Sequence, residues 1–328
     1  MKILVTGGAG YIGSHMVTEL LRKKHSVTVF DNLSGGHKKA IPDEAPIYIG
    51  DTTDSASLYQ LLSKHKFDAV LHFAGVISMG ESVQNPGKYF RINTFGALTL
   101  FEALVKHNIK KVIFSSTAGV YGNPIHIPIP EDDPKNPTNP YGESKLMVEK
   151  ILEWYDLSFG LKFVSLRYFN AAGASLDGTN GEDHREETHI IPIAIKAALK
   201  GKTFIINGSD YPTKDGTAIR DYIHVVDLVD AHILALEYLS KVSESAIYNV
   251  GTGFGHSNKE VVEIVKKVTK VDFKVKYGPR RPGDANELIA QPIKIKKDLG
   301  WQPRYSDLET IVKTAYNWHK NHPNGFND

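Results

Sequence analysis

The sequence predicts a doubly wound α/β fold, a parallel sheet with helices on both faces, together with a second, smaller α/β domain. Three observations carry that expectation. Short β-branched runs alternate with longer amphipathic segments through the first half, a glycine-rich turn follows the first run, and the rhythm breaks after about residue 170. Strands spaced by helices mean βαβ units and hence a parallel sheet.

In chain order the strand-like runs are residues 3–6, 26–30, 46–49, 69–73, 111–115 and 161–167. Residues 12–21 and 95–105 carry apolar side chains at three- and four-residue intervals, which turns one helical face toward the sheet. Residues 141–154 also read as helix. Gly, Asp, Glu and His dominate 173–189, a loop by composition, and a short helix and the turn-rich stretch 207–217 follow. Residues 220–250 look like one more helix and strand returning to the main sheet, and 319–328 like a frayed end. The predicted division is residues 1–170 with about 220–252 in the large domain, and about 171–219 with 253–328 in the small one.

Composition narrows the function. The 328 residues carry 39 Lys and Arg against 37 Asp and Glu, a net charge of +2 that gives no electrostatic reason to expect a nucleic acid or membrane partner. The absence of cysteine excludes disulfides, iron–sulfur centres and a catalytic thiol. Only Ile3, Leu4 and Val5 form an apolar run before Thr6, too short for a signal peptide or a span, so a cytoplasmic location and a small-molecule partner are expected.

The first motif is Thr6-Gly7-Gly8-Ala9-Gly10-Tyr11-Ile12-Gly13, between the first strand and the first helix. Glycines there let the backbone turn tightly and approach a pyrophosphate, and the helix N-terminus offers free N–H groups. Asp31 ends the second strand 18 residues after Gly13, close to the spacing expected of a ribose-binding acid. Its charge would repel a 2′-phosphate and favours NAD, so the sheet is predicted to be Rossmann-like. Asp51, after the third strand, is placed either to meet the adenine or to cap a helix.

The second motif is Tyr141-Gly142-Glu143-Ser144-Lys145, whose spacing sets Tyr141 and Lys145 on one helical face. A phenol titrates near 10, so using it as a base at neutral pH takes about 3 units, roughly 4 kcal/mol. One cation about 4 Å away at an effective dielectric of about 20 interacts by that amount. Ser115, Ser116 and Thr117 end the fifth strand, on the carboxyl edge where ligands bind in open α/β sheets. Thr117 precedes Tyr141 by 24 residues, enough chain to return to that edge.

With Phe73-Ala74-Gly75, Asn93, Tyr168-Phe169-Asn170, Arg220-Asp221-Tyr222-Ile223-His224 and Arg281-Pro282-Gly283-Asp284 in the same order, the chain resembles the extended short-chain dehydrogenase/reductases, most closely the UDP-glucose 4-epimerase family, over nearly its whole length. The resemblance implies tightly bound NAD and transient oxidation at sugar C4, interconverting UDP-glucose and UDP-galactose. It gives Tyr141 the O4 proton, Lys145 the nicotinamide ribose and a lowering of the Tyr141 pKa, and Thr117 a hydroxyl that shuttles or orients the proton. Gly7, Gly10, Tyr11, Ile12, Gly13, Asp31, Asn32, Asp51, Thr52, Phe73, Ala74, Gly75, Asn93 and Phe169 would complete the cofactor pocket. Arg220 and Arg281 would hold the diphosphate, with Asn170, His189, Ile205, Ile206, Asn207, Asp284 and Leu288 at the other UDP-hexose contact positions.

The chain departs from the family pattern at Thr117, where many members carry serine, at Ile77, where some carry lysine, and at His189 and Asn207. Leu288 stands where a bulky tyrosine confines the site to unsubstituted hexoses, which implies at least partial acceptance of N-acetylhexosamines. A homodimer through residues 93–107 and 141–154 is likewise implied. Asp183, His184, Glu186, Glu187 and His189 form a dense cluster but lack a His-x-x-x-His pair, so a solvated loop and no metal are expected. Alternatives remain: a sugar-nucleotide 4,6-dehydratase, although Ala118 and Gly119 stand where its Asp-Glu pair belongs; a hexuronate epimerase or decarboxylase; and a redox-sensing protein that binds the dinucleotide without catalysis.

Overall fold

The computed structural model describes residues 1–281 and 283–327. The elements run β1 (Lys2–Thr6), α1 (Tyr11–Arg22), β2 (Ser26–Asp31), β3 (Ile47–Ile49), α2 (Ser55–Lys64), β4 (Ala69–His72), α3 (Met79–Gln84), α4 (Pro86–Tyr89), α5 (Gly96–Lys106), β5 (Lys111–Thr117), α6 (Pro140–Phe159), β6 (Lys162–Tyr168) and β7 (Asn170–Ala172). The chain continues through α7 (Ile190–Lys200), β8 (Phe204–Asn207), β9 (Ile219–His224), α8 (Val225–Lys241), β10 (Ala246–Val250), β11 (Gly255–Ser257), α9 (Asn258–Thr269), β12 (Val275–Gly278), β13 (Glu287–Leu288), α10 (Ile293–Leu299) and α11 (Leu308–Asn321).

The main sheet has seven strands in the order β10-β6-β5-β4-β1-β2-β3, every pairing parallel. Its central strands are apolar on both faces, as a sheet covered on both sides requires. One face packs Met16, Val17 and Leu20 of α1 with Leu228, Ile233 and Leu236 of α8. The other packs Leu58 and Leu62 of α2, Leu100 and Leu104 of α5, and Val148 and Leu152 of α6. Strand order reverses between β1 and β4, so a crevice is expected at their carboxyl ends. The predicted return of the chain near residue 250 is strand β10, beside β6.

The smaller elements gather beyond that edge. Strands β7, β11 and β13 all pair with β9, and β8 pairs with β12. Helices α7, α9 and α11 enclose a separate core of Ile191, Ile195, Val261, Val265, Ile311 and Val312. The expected frayed end is corrected here, because α11 runs to Asn321 and buries Trp318 and His319. The Phe326 ring lies 4.8 Å from Trp318 and 5.2 Å from His37, which ties the end of the chain to the large sheet's loops. Among the described residues no helix is long and apolar enough to cross a membrane.

Candidate active site

The glycine loop is shaped by contact. Strand β1 ends at Thr6 and the backbone turns at Gly7 with φ of 74°. A Cβ on Gly13 would lie 2.2 Å from the Gly7 carbonyl oxygen, so α1 begins this close to the loop only because residue 13 is glycine. At Gly10 the same Cβ would meet nothing nearer than 3.4 Å. The protein's own packing does not require glycine there, and the lack of a side chain leaves room for an approaching ligand. Gly10 caps α1 without a side-chain bond and the first turn carries no acid, so the first N–H groups are available to an anion. Tyr11 donates from its hydroxyl to the Gly173 carbonyl at 2.8 Å, and Ile12 packs on the sheet core.

Asp31 closes β2 almost fully buried and accepts from the Ala9 N–H at 2.9 Å and the Leu33 N–H at 2.8 Å. Burial raises its pKa, and the two backbone donors oppose that rise. Its remaining lone pairs suit vicinal hydroxyls. Asn32 donates to Asp51 at 2.7 Å; burial raises the Asp51 pKa, but Thr53 and Asn32 bonds outweigh it and leave the group below its usual value. Thr52 is buried beneath Gly96, where a Cβ would meet its hydroxyl at 2.7 Å. The open approach at Gly10, the uncapped helix and Asp31 together fit a dinucleotide.

Past β4, Phe73 and Ala74 both donate their N–H to the Thr6 carbonyl, and the Phe73 ring lies 4.9 Å from His232. Asn93 sits in a π-helical turn between α4 and α5, accepts from the Val76 N–H at 2.8 Å and donates to the Ser144 hydroxyl at 2.9 Å. A side chain on Gly75 would meet Asn93 Oδ1 at 2.8 Å and Lys145 Nζ at 3.5 Å, so these three positions share one wall.

The proposed reacting groups meet at the end of β5. Asn139 caps α6 by accepting from the Gly142 N–H, with Pro140 in the first turn. A Cβ on Gly142 would fall 2.4 Å from the Gly119 carbonyl oxygen, so the helix start and the strand-end turn touch only through glycine. That approach brings Tyr141 to Thr117, whose hydroxyl accepts from the Gly119 N–H at 3.0 Å. Burial raises the Tyr141 pKa, and a hydrogen bond with the Thr117 side chain pulls it back. Lys145 is buried, donates to the Ser115 carbonyl at 2.9 Å and pairs with no carboxylate among the described residues. Burial lowers its pKa to about 8. In the protein alone, Lys145 is not among the groups that depress the phenol.

The expected substrate residues divide. Phe169 and Asn170 link β6 to β7, where Asn170 donates to the Asp221 carbonyl at 3.0 Å. Arg220 is buried and already engaged, with an ion pair to Asp284 and bonds to the Ile219 and Ala285 carbonyls at 2.7 and 2.8 Å. Asn207, with its amide oxygen turned to Arg281, accepts from Nε at 3.0 Å. Strand alternation exposes Ile205 but turns Ile206 into the small core, so the side chain of Ile206 is not available to a substrate. Leu288 packs against the cluster that includes Ala118, Leu146 and Phe169, next to the strand-end turn.

The solvated loop expected around His184 and His189 is corrected. His184 and His189 face Glu182 and Glu187, and both carboxylate side chains are buried. Burial alone would lower the two imidazoles; the two carboxylates outweigh it and hold both above the ordinary histidine value. Composition cannot reveal burial.

Sequence reading also missed Ser144, which bridges Asn93 and the Tyr141 carbonyl. It missed the Glu149–Arg167 pair under Ser116 as well, although an arginine in an otherwise apolar strand is a visible signal.

The profile of the NAD dependent epimerase/dehydratase family matches residues 3–251. The UDP-glucose 4-epimerase of Lacticaseibacillus casei is 53% identical, covering 100% of this chain and 99% of its own. The crystal structure of the UDP-glucose 4-epimerase from Bifidobacterium longum in complex with NAD⁺ and UDP superposes with a TM-score of 0.94 at 38% identity, covering 99% and 100% of the two chains. The UDP-Glc/GlcNAc 4-epimerase of Campylobacter jejuni superposes with a TM-score of 0.85 at 45% identity, covering 98% and 99%.

Proposed function

The chain belongs to the NAD dependent epimerase/dehydratase family, and from that premise we propose that it interconverts UDP-glucose and UDP-galactose with tightly bound NAD. The observation that carries this is the meeting of Thr117, Tyr141 and Lys145 on the sheet edge beside the glycine loop. Residues 7–13 and the start of α1 would hold the pyrophosphate, Asp31 the adenosine ribose and Lys145 the nicotinamide ribose. Bound NAD would supply hydride acceptance at sugar C4 in its oxidised form and hydride return in its reduced form, and the oxidised ring would add positive charge to the site. Tyr141 holds and returns the proton at O4, with Thr117 fixing the phenol's direction. Arg281 and the positive edge of Arg220 anchor the diphosphate, the forked donors matching its oxygens. The test is incubation of purified protein with UDP-galactose and no added NAD⁺; equilibration with UDP-glucose is expected, and a lack of product would overturn the reading.

Leu288 extends the substrate range. A leucine packed against this cluster occupies less volume than a tyrosine, and the Campylobacter jejuni relative is named for both UDP-Glc and UDP-GlcNAc. UDP-N-acetylgalactosamine is expected to be turned over, and Leu288→Tyr to suppress that activity at least about tenfold more than turnover of UDP-galactose, since a steric clash of this size is worth about 1–3 kcal/mol. Parent protein that leaves the N-acetylated sugar untouched at long incubation sinks the extension.

The assembly we infer is a homodimer. Phe95, and Met147, Trp154 and Leu157 on α6, are exposed together, an apolar stripe suited to a second copy. Trp154→Glu should shift the elution volume from dimer to monomer; a parent already eluting as a monomer removes the interface. The substrate is a charged nucleotide diphosphate that does not cross membranes, which favours a cytoplasmic role in galactose metabolism.

A further inference from the structure

We propose that Glu182, His184, Glu187 and His189 bind one divalent transition-metal ion, zinc foremost, as a structural site that fastens this loop to the dinucleotide-binding side of the protein. The assignment goes beyond the epimerase reading and does not depend on it.

The four candidate ligand atoms all lie within 4.8 Å of one another. His184 Nδ1 is 3.1 Å from Glu182 Oε1 and 3.7 Å from Glu187 Oε1, and His189 Nδ1 is 2.7 and 3.2 Å from the same two oxygens. A tetrahedral shell with bonds of about 2.0–2.2 Å has edges of about 3.3–3.6 Å. The observed separations bracket those edges, and both imidazoles present the same nitrogen to the same pair of oxygens.

Hydrogen bonding accounts for only part of the arrangement, since His189 Nδ1 bonds Glu187 Oε1 at 3.2 Å while other polar atoms of the cluster stay unpartnered. Glu182 is 3% exposed, and its Oε1, aimed into the cluster, has no hydrogen-bond partner. His184 Nδ1 and Glu187 Oε2 are likewise buried without one, although neighbours of opposite charge lie close by. Glu182 Oε1 thus lies 2.7 and 3.1 Å from two imidazole nitrogens without a hydrogen bond to either. A buried carboxylate oxygen left without a donor is costly, and a cation placed between the four atoms satisfies them together.

Two imidazoles and two carboxylates suit zinc in a chain that has no cysteine to offer, and a site closed by four protein ligands is structural in kind. The outer contacts support the ligands. The Thr188 and His189 N–H groups both donate to Glu187 Oε1 at 2.9 Å, fixing that carboxylate. His189 is also the N-cap of α7, so one ligand sits at the end of a rigid element. The Tyr11 ring meets His184 edge-on at 6.4 Å, and Asp183, between two ligands, accepts from the Phe326 N–H at 3.0 Å. The ion would thus join the glycine loop's helix, the start of α7 and the chain's tail. His189 then serves as a ligand and not as a substrate contact.

The test uses the full chain free of affinity-tag histidines, stripped with a chelator and titrated with Zn²⁺ against a chromophoric competitor. One zinc per chain is expected, with a rise in melting temperature. Glu182→Gln and His184→Gln should each weaken zinc at least about a hundredfold. X-ray absorption at the zinc edge of the parent, which needs no variant to fold, should show two imidazoles in a four-coordinate shell. Less than about a tenth of an equivalent bound, a shell of oxygens alone, or undiminished binding in folded variants would each overturn the proposal.

Discussion

Replacing Tyr141 by phenylalanine is expected to lower kcat by about a hundred- to ten-thousand-fold, the contribution of a positioned general acid–base group, while leaving NAD content and melting temperature near the parent's. The ring stays, so its edge-on contact with Tyr89 at 6.4 Å and the Gly142–Gly119 approach persist. What goes is the hydroxyl that meets Thr117. Burial raises the phenol's pKa in the protein alone, so its ionisation must be driven by charge that arrives with the ligands. The rate of the parent should therefore climb with pH as the phenol loses its proton. Lys145, lowered by burial to about 8, works in the opposite sense, because its positive charge is lost as pH rises through that value. A limb rising with pH should be missing from the profile of Tyr141→Phe. A variant that keeps more than about a tenth of parental kcat, with NAD still bound, would place the proton elsewhere.

The large sheet was legible because its physics is local. Runs such as Val112-Ile113-Phe114 are buried on both faces and so read as continuous apolar strands, and α1 and α5 turn one apolar face to them at helical spacing. Strands β7, β11 and β13 span three, three and two residues, too short for any period, and they exist only because β9 offers them a partner. The glycine loop, Asp31, Thr117, Tyr141 and Lys145 were placed by spacing to strand ends, which the parallel topology converts directly into proximity. Long-range pairing was hidden. Nothing in residues 220–284 announces that Arg220 is held by Asp284, and alternation along β8 decided which of Ile205 and Ile206 stays exposed. The 182–189 cluster was misjudged for the same reason, since charge density in a sequence says nothing of what folds over it.

The largest expected loss of stability comes from Glu149→Ala. Glu149 lies one helical turn beyond Lys145, and its carboxylate receives Arg167 through Nε at 3.0 Å and Nη2 at 2.7 Å, with the Ser116 hydroxyl at 2.5 Å. Both charged side chains are 3% exposed or less. Arg167 continues through its Nη1 to the Tyr121 hydroxyl at 2.7 Å, which donates to Asn249 at 2.7 Å, so one network joins β5, α6, β6 and β10 directly behind Thr117. Removing the carboxylate alone strands a buried guanidinium, at a cost of about 3–5 kcal/mol, a large part of the roughly 5–15 kcal/mol that holds a folded domain. Replacing both partners by apolar residues, Glu149→Leu with Arg167→Met, should recover most of that loss, because the desolvation of two charges disappears with their attraction. Urea unfolding at fixed, saturating NAD keeps ligand stabilisation constant across the set. A single Glu149→Ala that costs less than about 1 kcal/mol, or a double variant no more stable than the single, would show that the pair is not what secures the end of β5. If the pair does secure it, Glu149→Ala should also lower kcat at temperatures where the variant is still folded, because Ser116 then loses the carboxylate that fixes the residue preceding Thr117.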